Sequence, residues 1–247
     1  MKDTDLLIGF HPLMEALKSG KEIQKVFIQK GISGDRMPEL KAELKKLEVP
    51  IFTVPKDKLQ RISRKNHQGI IAFTSPIEFQ NIENLLFSLF EAGKTPSFLM
   101  LDGITDVRNF GAIVRSAECM GVHAVIIPIK GMAPINAEAV KSSSGALLRV
   151  PICRSNHLDK TLAFLRNSGI KVVGCTEKSA DHIGDISLIE PLCIVMGNEE
   201  TGLSEKTLQT ADHLVRIPMI GDVASLNVSA SCAVALYESV RQRIKAN

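Results

Sequence analysis

The sequence lacks an apolar run of about eighteen residues, which is the length that a membrane-spanning helix requires. It also lacks a signal-peptide pattern, because its first five residues are Met-Lys-Asp-Thr-Asp. The hydrophobic content of 45% is nevertheless that of a globular chain with a real core, and 247 residues suffice for one large domain or two ordinary ones. We therefore expect a cytoplasmic protein that does not bind a membrane.

Cysteine and histidine are too dispersed to form a recognisable motif. The two nearest of the five cysteines, Cys175 and Cys193, are 18 residues apart, which excludes Cys-x-x-Cys metal and redox motifs. None of the six histidines forms a His-x-His or His-x-x-x-His pair, so we expect no metal site. Each cysteine lies in an apolar run or a helical pattern, and we interpret all five as reduced core thiols.

The formal net charge of +3 comes entirely from the first part of the chain. Residues 1–95 carry 15 Lys+Arg and 12 Asp+Glu, whereas residues 96–247 carry 15 of each. A concentrated basic stretch indicates a polyanionic partner, although an ordinary solvated helix face is the alternative. The densest stretch has five bases against one acid, and its bases are Lys56, Lys58, Arg61, Arg64 and Lys65.

Residues 6–76 alternate between helix and strand patterns that suit a compact α/β unit. The chain then passes through a junction at 77–95, where an amphipathic helix at 82–90 is expected to pack rather than remain a free coil. In the first unit, helices are predicted at 12–17, at 38–48 and from 55 onward, and strands at 25–29, 51–54 and 70–73.

The pattern changes at residue 97 to near-continuous apolar strands separated by helices. Strands of this kind are buried on both faces, which indicates a parallel sheet covered by helices. Open sheets of this class bind ligands at the carboxyl ends of their strands. Strands are predicted at 98–101, 124–127, 147–150, 172–174, 192–196 and 214–217, and helices at 110–120, 136–142, 158–168 and 226–243.

The terminal helix is apolar at helical spacing, and we predict that most of its apolar side chains are core. Small residues in its first half would let it approach another backbone closely. The positions predicted as core are Ala230, Ala233, Val234, Tyr237, Val240 and Ile244.

The first motif that could carry chemistry lies at the end of the strand predicted at 98–101. Asn109 suits a helix N-cap, and Gly111 shares a helix face with Arg115. The space beside the glycine, overhung by the arginine, would suit a phosphate or carboxylate. The alternative is a plain helix cap with a surface salt bridge. A dinucleotide site is disfavoured, because the Gly-x-Gly-x-x-Gly fingerprint is missing.

The second motif follows the strand predicted at 192–196. Gly197 lets the backbone turn sharply and expose its amide and carbonyl groups to a ligand. Glu199 stands at the strand end, where its carboxylate could accept hydrogen bonds or orient a cation. The alternative is a turn followed by a helix that Ser204 caps.

The third motif joins the last predicted strand to the terminal helix. Pro218 and Gly221 fix the path of the backbone there. Asn227 and Ser229 lie two residues apart near the helix start, which by itself is an ordinary capping arrangement.

Together, in this order and spacing, the three motifs resemble the SpoU-type RNA ribose 2′-O-methyltransferases of the SPOUT superfamily. The pattern N-x-G-x-x-x-R runs from Asn109 to Arg115, and G-x-E-x-x-G begins at Gly197. The pattern I-P-M-x-G at 217–221 is followed by S-L-N-V-S at 225–229. The branch that methylates a guanosine of 23S rRNA is the most similar one.

One departure from the family pattern is Val107-Arg108, where many members have proline after the aspartate. We expect this departure to alter the loop before Asn109. The rest of the resemblance implies a SPOUT domain at 96–247, with a parallel sheet and a deep trefoil knot. Residues 1–76 are similar to the L30e-like substrate-binding domain of the family, and 77–95 would be a helical linker.

The resemblance also implies the site residues and their ligands. The knot of family members binds S-adenosylmethionine largely through backbone groups. The cofactor contacts carried over to this sequence are Thr176, Gly197, Ile217, Met219 and Leu226. The implied catalytic residues are Arg115, Asn109, Glu199, Asn227 and Ser229.

The implied reaction is methylation of a ribose 2′-hydroxyl in structured RNA by a homodimer, with the five basic residues at 56–65 on the RNA. We hypothesise that Arg115 grips a phosphate and polarises the hydroxyl, since a guanidinium does not readily lose a proton. The alternatives are a tRNA methyltransferase, a non-catalytic RNA-binding protein that retains the fold, and a nicotinamide-dependent enzyme.

Overall fold

The computed structural model describes residues 6–223 and 225–246. The described residues do not include 1–5, Ala224 and Asn247, which belong to the domains predicted at 1–76 and 96–247. The chain divides into two compact units, one ending at Glu78 and one beginning at Phe79. Each unit has its own sheet and its own hydrophobic core.

Within residues 6–78 the chain forms a mixed sheet of four strands in the order β1-β4-β2-β3, in which only β2 and β3 run parallel. Two core clusters lie in this unit, one with residues of α1 and α2 and the other with Leu59 of α3. The elements are β1 (Leu6–Ile8), α1 (Phe10–Lys18), β2 (Ile23–Gln29), α2 (Met37–Lys46), β3 (Ile51–Val54), α3 (Lys56–Ile62) and β4 (Ile70–Thr74).

The second unit contains a parallel sheet of seven strands, in the order β11-β9-β10-β6-β7-β8-β5. Its elements are β5 (Phe79–Gln80), α4 (Ile82–Glu91), β6 (Ser97–Asp102), α5 (Val107–Cys119), β7 (Ala124–Pro128), α6 (Ala137–Ser142), β8 (Ile152–Ser155), α7 (Leu158–Asn167), β9 (Lys171–Cys175), β10 (Leu192–Gly197), α8 (Glu205–Thr210), β11 (His213–Val215) and α9 (Val228–Ala246).

The central strands of this sheet are buried on both faces, as their continuous apolar sequence predicts. All six residues of β10 are buried, and so are the first five of β6. Leu86 and Leu89 of α4 belong to the same core cluster as Phe98 of β6. The helix predicted at 82–90 is therefore confirmed, and it packs. In the described part of the chain, no helix is both long enough and apolar enough to cross a membrane.

The strand predicted at 147–150 is wrong. Residues Ala146–Leu148 form a 3₁₀ turn, and the sheet continues only at β8. The backbone groups of the turn bond locally, because Leu148 N donates to the Gly145 carbonyl (3.0 Å) and Arg149 N to the Ala146 carbonyl (2.9 Å). Burial of Leu147 accounts for the apolar pattern without a strand.

The terminal helix α9 buries a different face from the predicted one. Val234, Tyr237 and Ile244 are exposed by 39%, 55% and 71%. The helix is apolar on two sides, so its periodicity alone could not select the core side. The residues it buries are Val228, Cys232, Ala235, Leu236 and Ser239.

The chain after β11 runs beside the loop that follows β9. Thr176 N donates to the Val215 carbonyl (2.8 Å), and Ile183 N donates to the Arg216 carbonyl (2.9 Å). The chain then returns as α9, which packs against α5. Since all strands of the sheet are parallel, the ends of β6, β9, β10 and β11 meet at one edge.

Candidate active site

The corner between β6 and α5 begins the site, and its helix starts earlier than predicted. Asp106, not Asn109, is the N-cap, since its Oδ1 accepts hydrogen bonds from Arg108 N (2.8 Å) and Asn109 N (2.9 Å). The predicted N-cap at Asn109 and the helix start at 110 are therefore wrong. The departure at Val107 lies at the first helical position and not in a loop. Proline is tolerated at that position, so either residue suits this helix.

Because Asp106 caps the helix, the Asn109 side chain is available to link two distant corners. Asn109 Nδ2 donates to Glu199 Oε1 at 2.9 Å, and Asn227 Nδ2 donates to Asn109 Oδ1 at 3.1 Å. The Asn227 Oδ1 in turn accepts a hydrogen bond from Ser229 N at 2.9 Å. The structure thus joins four of the five predicted catalytic residues in one hydrogen-bonded chain.

The corner after β10 is held by Asn198, to which the sequence reasoning assigned no role. Its Nδ2 donates to the Gly103 carbonyl (2.7 Å), and its Oδ1 accepts from Glu200 N (2.8 Å) and Thr201 N (3.1 Å). Its backbone also exchanges two hydrogen bonds with Gly202. The sequence did contain a signal for this role, because an asparagine follows a buried strand and a glycine. Asparagine side chains at such positions often hydrogen-bond the nearby backbone.

Gly197 is required by this corner for steric reasons. A Cβ on Gly197 would lie 2.3 Å from the Gly202 carbonyl carbon and 2.4 Å from Leu203 N. Both are backbone atoms, which cannot move aside as a flexible side chain would. The glycine therefore lets the turn fold back onto the end of β10.

Asp102, at the end of β6, fixes the start of α8 and was also missed. Its Oδ2 accepts hydrogen bonds from Ser204 N (2.9 Å) and Thr207 Oγ1 (2.7 Å). Ser204 caps α8, as the alternative interpretation of the second motif predicts. Asp102 thus connects the corner of β6 to that of β10.

The corner after β10, the ends of β9 and β11 and the start of α9 line a cavity of about 550 Å³. Glu199 and Asn227 reach its wall, next to the exposed apolar side chains of Met219 and Leu226. A second cavity of about 660 Å³ shares Asn198 and Glu199 and is lined by further carboxylates. All five residues predicted to contact the cofactor line the first cavity, namely Thr176, Gly197, Ile217, Met219 and Leu226.

The cavity contains no activated thiol. Cys175 lines it, but desolvation raises the pKa of this thiol to about 12. The thiol therefore remains protonated near neutral pH and is a poor nucleophile. Within residues 6–223 and 225–246, no group of three or more His, Cys, Asp or Glu side chains is arranged to hold a metal ion.

Arg115 lies apart from this cavity. Its side chain is exposed, and among the described residues it has no hydrogen-bond or ion-pair partner. The predicted space beside Gly111 is not open, because a Cβ there would lie 2.0 Å from Ser142 Oγ and 2.8 Å from Ser143 N. Gly111 therefore serves the packing of α5 on α6, and the anion pocket expected between it and Arg115 is wrong.

Four of the five basic residues of the N-terminal unit line two neighbouring cavities, and the fifth, Lys58, lies over an aromatic ring. Lys56, Arg64 and Lys65 line a cavity of about 440 Å³, together with residues 66–69. Lys58 instead lies over the ring of Phe27, at 5.3 Å from its centroid. Arg61 lines a neighbouring cavity, to which Arg64 also contributes.

The fold and the site define an α/β protein whose ligand cavity lies at the carboxyl edge of a parallel sheet. Two family models match the chain. The SpoU rRNA Methylase family matches residues 96–237, and the RNA 2′-O ribose methyltransferase substrate-binding family matches residues 6–80. The first match alone covers more than half of the 247 residues.

Individual proteins agree with this match. A candidate TrmH family tRNA/rRNA methyltransferase of Staphylococcus aureus (strain MSSA476) is 34% identical over 98% of both chains. The SpoU methyltransferase AviRb of Streptomyces viridochromogenes, in complex with the cofactor AdoMet, is 25% identical with a TM-score of 0.60, over 97% of this chain and 90% of AviRb. The A. aeolicus TrmH/SpoU tRNA modifying enzyme is 28% identical with a TM-score of 0.57, over 66% of this chain and 85% of that one. The chain belongs to the SpoU (TrmH) family of RNA 2′-O-ribose methyltransferases.

Proposed function

We propose that the chain methylates the ribose 2′-hydroxyl of a guanosine in 23S rRNA, in the cytoplasm, with S-adenosylmethionine as methyl donor. The observation that carries this proposal is the cavity of about 550 Å³ at the sheet edge. It is lined by all five predicted cofactor residues and bordered by the Asn109–Glu199–Asn227 chain. The nicotinamide alternative lacks the glycine fingerprint, and the intact Asn109, Glu199 and Asn227 side chains argue against the non-catalytic alternative.

The cavity suits S-adenosylmethionine by its size and by the groups on its wall. Its volume of about 550 Å³ is typical of small-molecule sites. The wall combines apolar side chains such as Met219 and Leu226 with backbone at Gly197, where a Cβ would have no room. Backbone recognition of this kind explains why the sequence has no charged cofactor motif. The bound cofactor supplies a methyl group that its sulfonium already activates.

The protein residues must then align the ribose and assist loss of its proton. Asn109, which accepts a hydrogen bond from Asn227, orients the Glu199 side chain at the cavity wall. Arg115 holds a phosphate of the target nucleotide and polarises the 2′-hydroxyl, and the proton leaves to a phosphate oxygen or to water. Ser229 supports Asn227 from the first turn of α9.

We infer that Arg115 holds the phosphate of the target nucleotide in a homodimer and not within a single chain. Arg115 is exposed and lines neither cavity at the sheet edge of its own chain. Val234 and Tyr237 form an exposed apolar strip on α9, which packs against the helix that carries Arg115. We infer that two chains associate through α9 and that Arg115 acts across the interface.

The C-terminal segment forms a deep trefoil knot in this proposal. The segment after β11 is hydrogen-bonded to the loop that follows β9, at Thr176 and Ile183, and then returns to α5.

RNA binding and cofactor binding belong to different domains in this proposal. Residues 1–76 form an L30e-like unit that holds RNA through the five basic residues at 56–65, 77–95 is the linker, and 96–247 binds the cofactor.

The alternative substrate is tRNA, because the A. aeolicus relative is named a tRNA modifying enzyme. Two measurements test the proposed reaction on either RNA. Calorimetry should detect binding of S-adenosylmethionine and no binding of NAD. Methyl transfer from labelled S-adenosylmethionine should occur with 23S rRNA more than with tRNA, and Arg115→Ala should abolish transfer while cofactor binding persists. Binding of NAD, or full turnover by Arg115→Ala, would contradict the proposal.

A further inference from the structure

Two cavities of the N-terminal unit meet at Gln68. The first, of about 320 Å³, is lined by Phe10, Arg36 and Gln68, with Ile32 among its apolar side chains. The second is the cavity of about 440 Å³ that Lys56 and Arg64 line. Ile32 and Gln68 belong to both walls, so the two cavities are neighbours on either side of these two residues.

Gln68 is presented by a turn whose backbone is closely fixed. Its φ of 47° lies in the left-handed region, which is unfavourable for a residue other than glycine. The buried His67 accepts a hydrogen bond from Gly69 N at its Nδ1 (3.0 Å), and its carbonyl accepts one from Ile70 N (2.8 Å). Strain of this kind persists where the surrounding structure imposes it, often at a ligand site. The Gln68 side chain itself is exposed.

The first cavity offers planar groups for a nucleobase. The Phe10 ring is half-buried, and the Arg36 guanidinium lies 5.9 Å from its centroid. Arg36 Nη1 is also 3.3 Å from His11 Nε2, which holds the guanidinium beside the ring. Unpaired bases stack on aromatic rings and guanidinium planes, and an amide such as that of Gln68 can pair with a base edge.

The second cavity offers positive charge for the backbone of the same nucleotide. Lys56 precedes Arg64 by eight residues, and both reach the wall on which Gln68 lies. Lysine and arginine supply most contacts to nucleic-acid phosphates. A cavity lined by apolar and planar groups lies next to a basic cavity. The first therefore matches the base of a nucleotide, and the second matches its phosphate.

We propose that the paired cavities bind one unpaired nucleotide of the RNA, with its base against Phe10 and Arg36, its edge on the Gln68 amide and its phosphate beside Lys56 and Arg64. This inference rests on the proposed function, in which RNA is the substrate. A base-paired nucleotide keeps its base inside the helix and cannot enter, so the site selects loops over duplexes.

The test compares a fluorescent RNA hairpin with an unpaired loop and a blunt RNA duplex of the same stem sequence, by anisotropy with the full-length protein. Gln68→Gly removes the amide but relieves the left-handed backbone, so thermal stability should be equal or higher. Arg36→Lys keeps the charge and removes the plane. Lys41→Ala, on the exposed face of α2, is the matched charge control.

Gln68→Gly and Arg36→Lys should each weaken hairpin binding by roughly five- to a hundredfold, the range expected for loss of one base-edge contact or of one stacking contact. Duplex binding should be unchanged, and Lys41→Ala should bind both RNAs like the wild type. Equal binding of hairpin and duplex by the wild type, or unchanged hairpin binding by both variants, would overturn the site. Calorimetry with S-adenosylmethionine on the same samples reports on the proposed function separately, since these residues lie outside the cofactor cavity.

Discussion

At the residue scale, the site depends on which side chain caps the N-terminus of α5. Asp106 satisfies the first amides of α5, which leaves the Asn109 side chain free to join Glu199 and Asn227. If Asn109 were the cap, its Oδ1 would be engaged by backbone amides and could not accept a hydrogen bond from Asn227 in the same way. The hydrogen-bonded chain from Glu199 to Asn227 therefore depends on the separation of these two roles.

Asn109→Ala should reduce methyl transfer at least about tenfold, because two hydrogen bonds that orient the site are lost and positioning contributes strongly to such reactions. The side chain is half-buried and lies outside the hydrophobic core, so the free energy of unfolding should change by no more than about 1–2 kcal/mol. Turnover with labelled S-adenosylmethionine and chemical denaturation measure the two effects. Asn167→Ala, at the exposed end of α7, is the control and should change neither.

The sequence predicted the residues that line the cavity, and each failure has an identifiable physical cause. The residues predicted to contact the cofactor line one cavity because their motifs lie at strand ends, and parallel strands bring such ends together. The cap was misplaced because Asp106 and Asn109, three residues apart, are both good caps, and only the three-dimensional partner of Asn109 distinguishes them. Asp102 and Asn198 were missed because their partners are about one hundred residues away or in local backbone.

At the element scale, the contact between α5 and α6 depends on Gly111. Alanine there would gain about 1 kcal/mol of helix propensity. Its Cβ would, however, lie 2.6 Å from Ser142 Cβ and 2.8 Å from Ser143 N, and the backbone nitrogen cannot move without shifting α6. The crowding should therefore outweigh the gain in propensity.

Gly111→Ala should lower the free energy of unfolding by a net amount of roughly 1–3 kcal/mol, the usual cost of an overpacked core. Urea denaturation followed by circular dichroism measures this change. Gly184→Ala is the matched control, because the nearest atom to its added Cβ is Glu238 Oε1 at 4.0 Å. The interpretation fails if both variants have the stability of the wild type.

The element predictions were reliable where burial on both faces fixed the strand, as in β6 and β10. They failed at 147–150, because a 3₁₀ turn that buries Leu147 leaves the same short apolar run as a buried strand. They also failed on the orientation of α9. One apolar side of that helix is buried in the core and the other forms an exposed strip. Periodicity alone cannot distinguish the two sides.

At the scale of the whole molecule, the exposed strip of α9 is expected to be a dimer interface. Tyr237→Asp should give a monomer, since an unpaired charge at an apolar interface is costly. Light scattering coupled to size exclusion should then report 27.0 kDa, in place of twice that mass for the wild type. Phe87→Asp, which changes an exposed aromatic residue on α4, should leave the dimer intact. A monomeric wild type would contradict the proposed interface.

Removal of the chain up to Glu78 should separate RNA binding from cofactor binding. The truncated chain keeps Phe79, which pairs with Ile152 in the larger sheet, so the second unit should remain folded. Calorimetry should find unchanged affinity for S-adenosylmethionine, and anisotropy should find at least about tenfold weaker binding of hairpin RNA. Loss of both activities would refute the proposed division of labour.

The central claim is that this cavity and Arg115 together methylate a ribose of 23S rRNA. Mapping of ribose methylation across all RNA of a strain that lacks the gene tests it most directly, with the wild-type or the Arg115→Ala gene returned. We predict that one 2′-O-methylguanosine of 23S rRNA is absent in the deletion strain, returns with the wild-type gene and stays absent with Arg115→Ala. An unchanged ribose map, or a mark that returns with Arg115→Ala, would contradict the account.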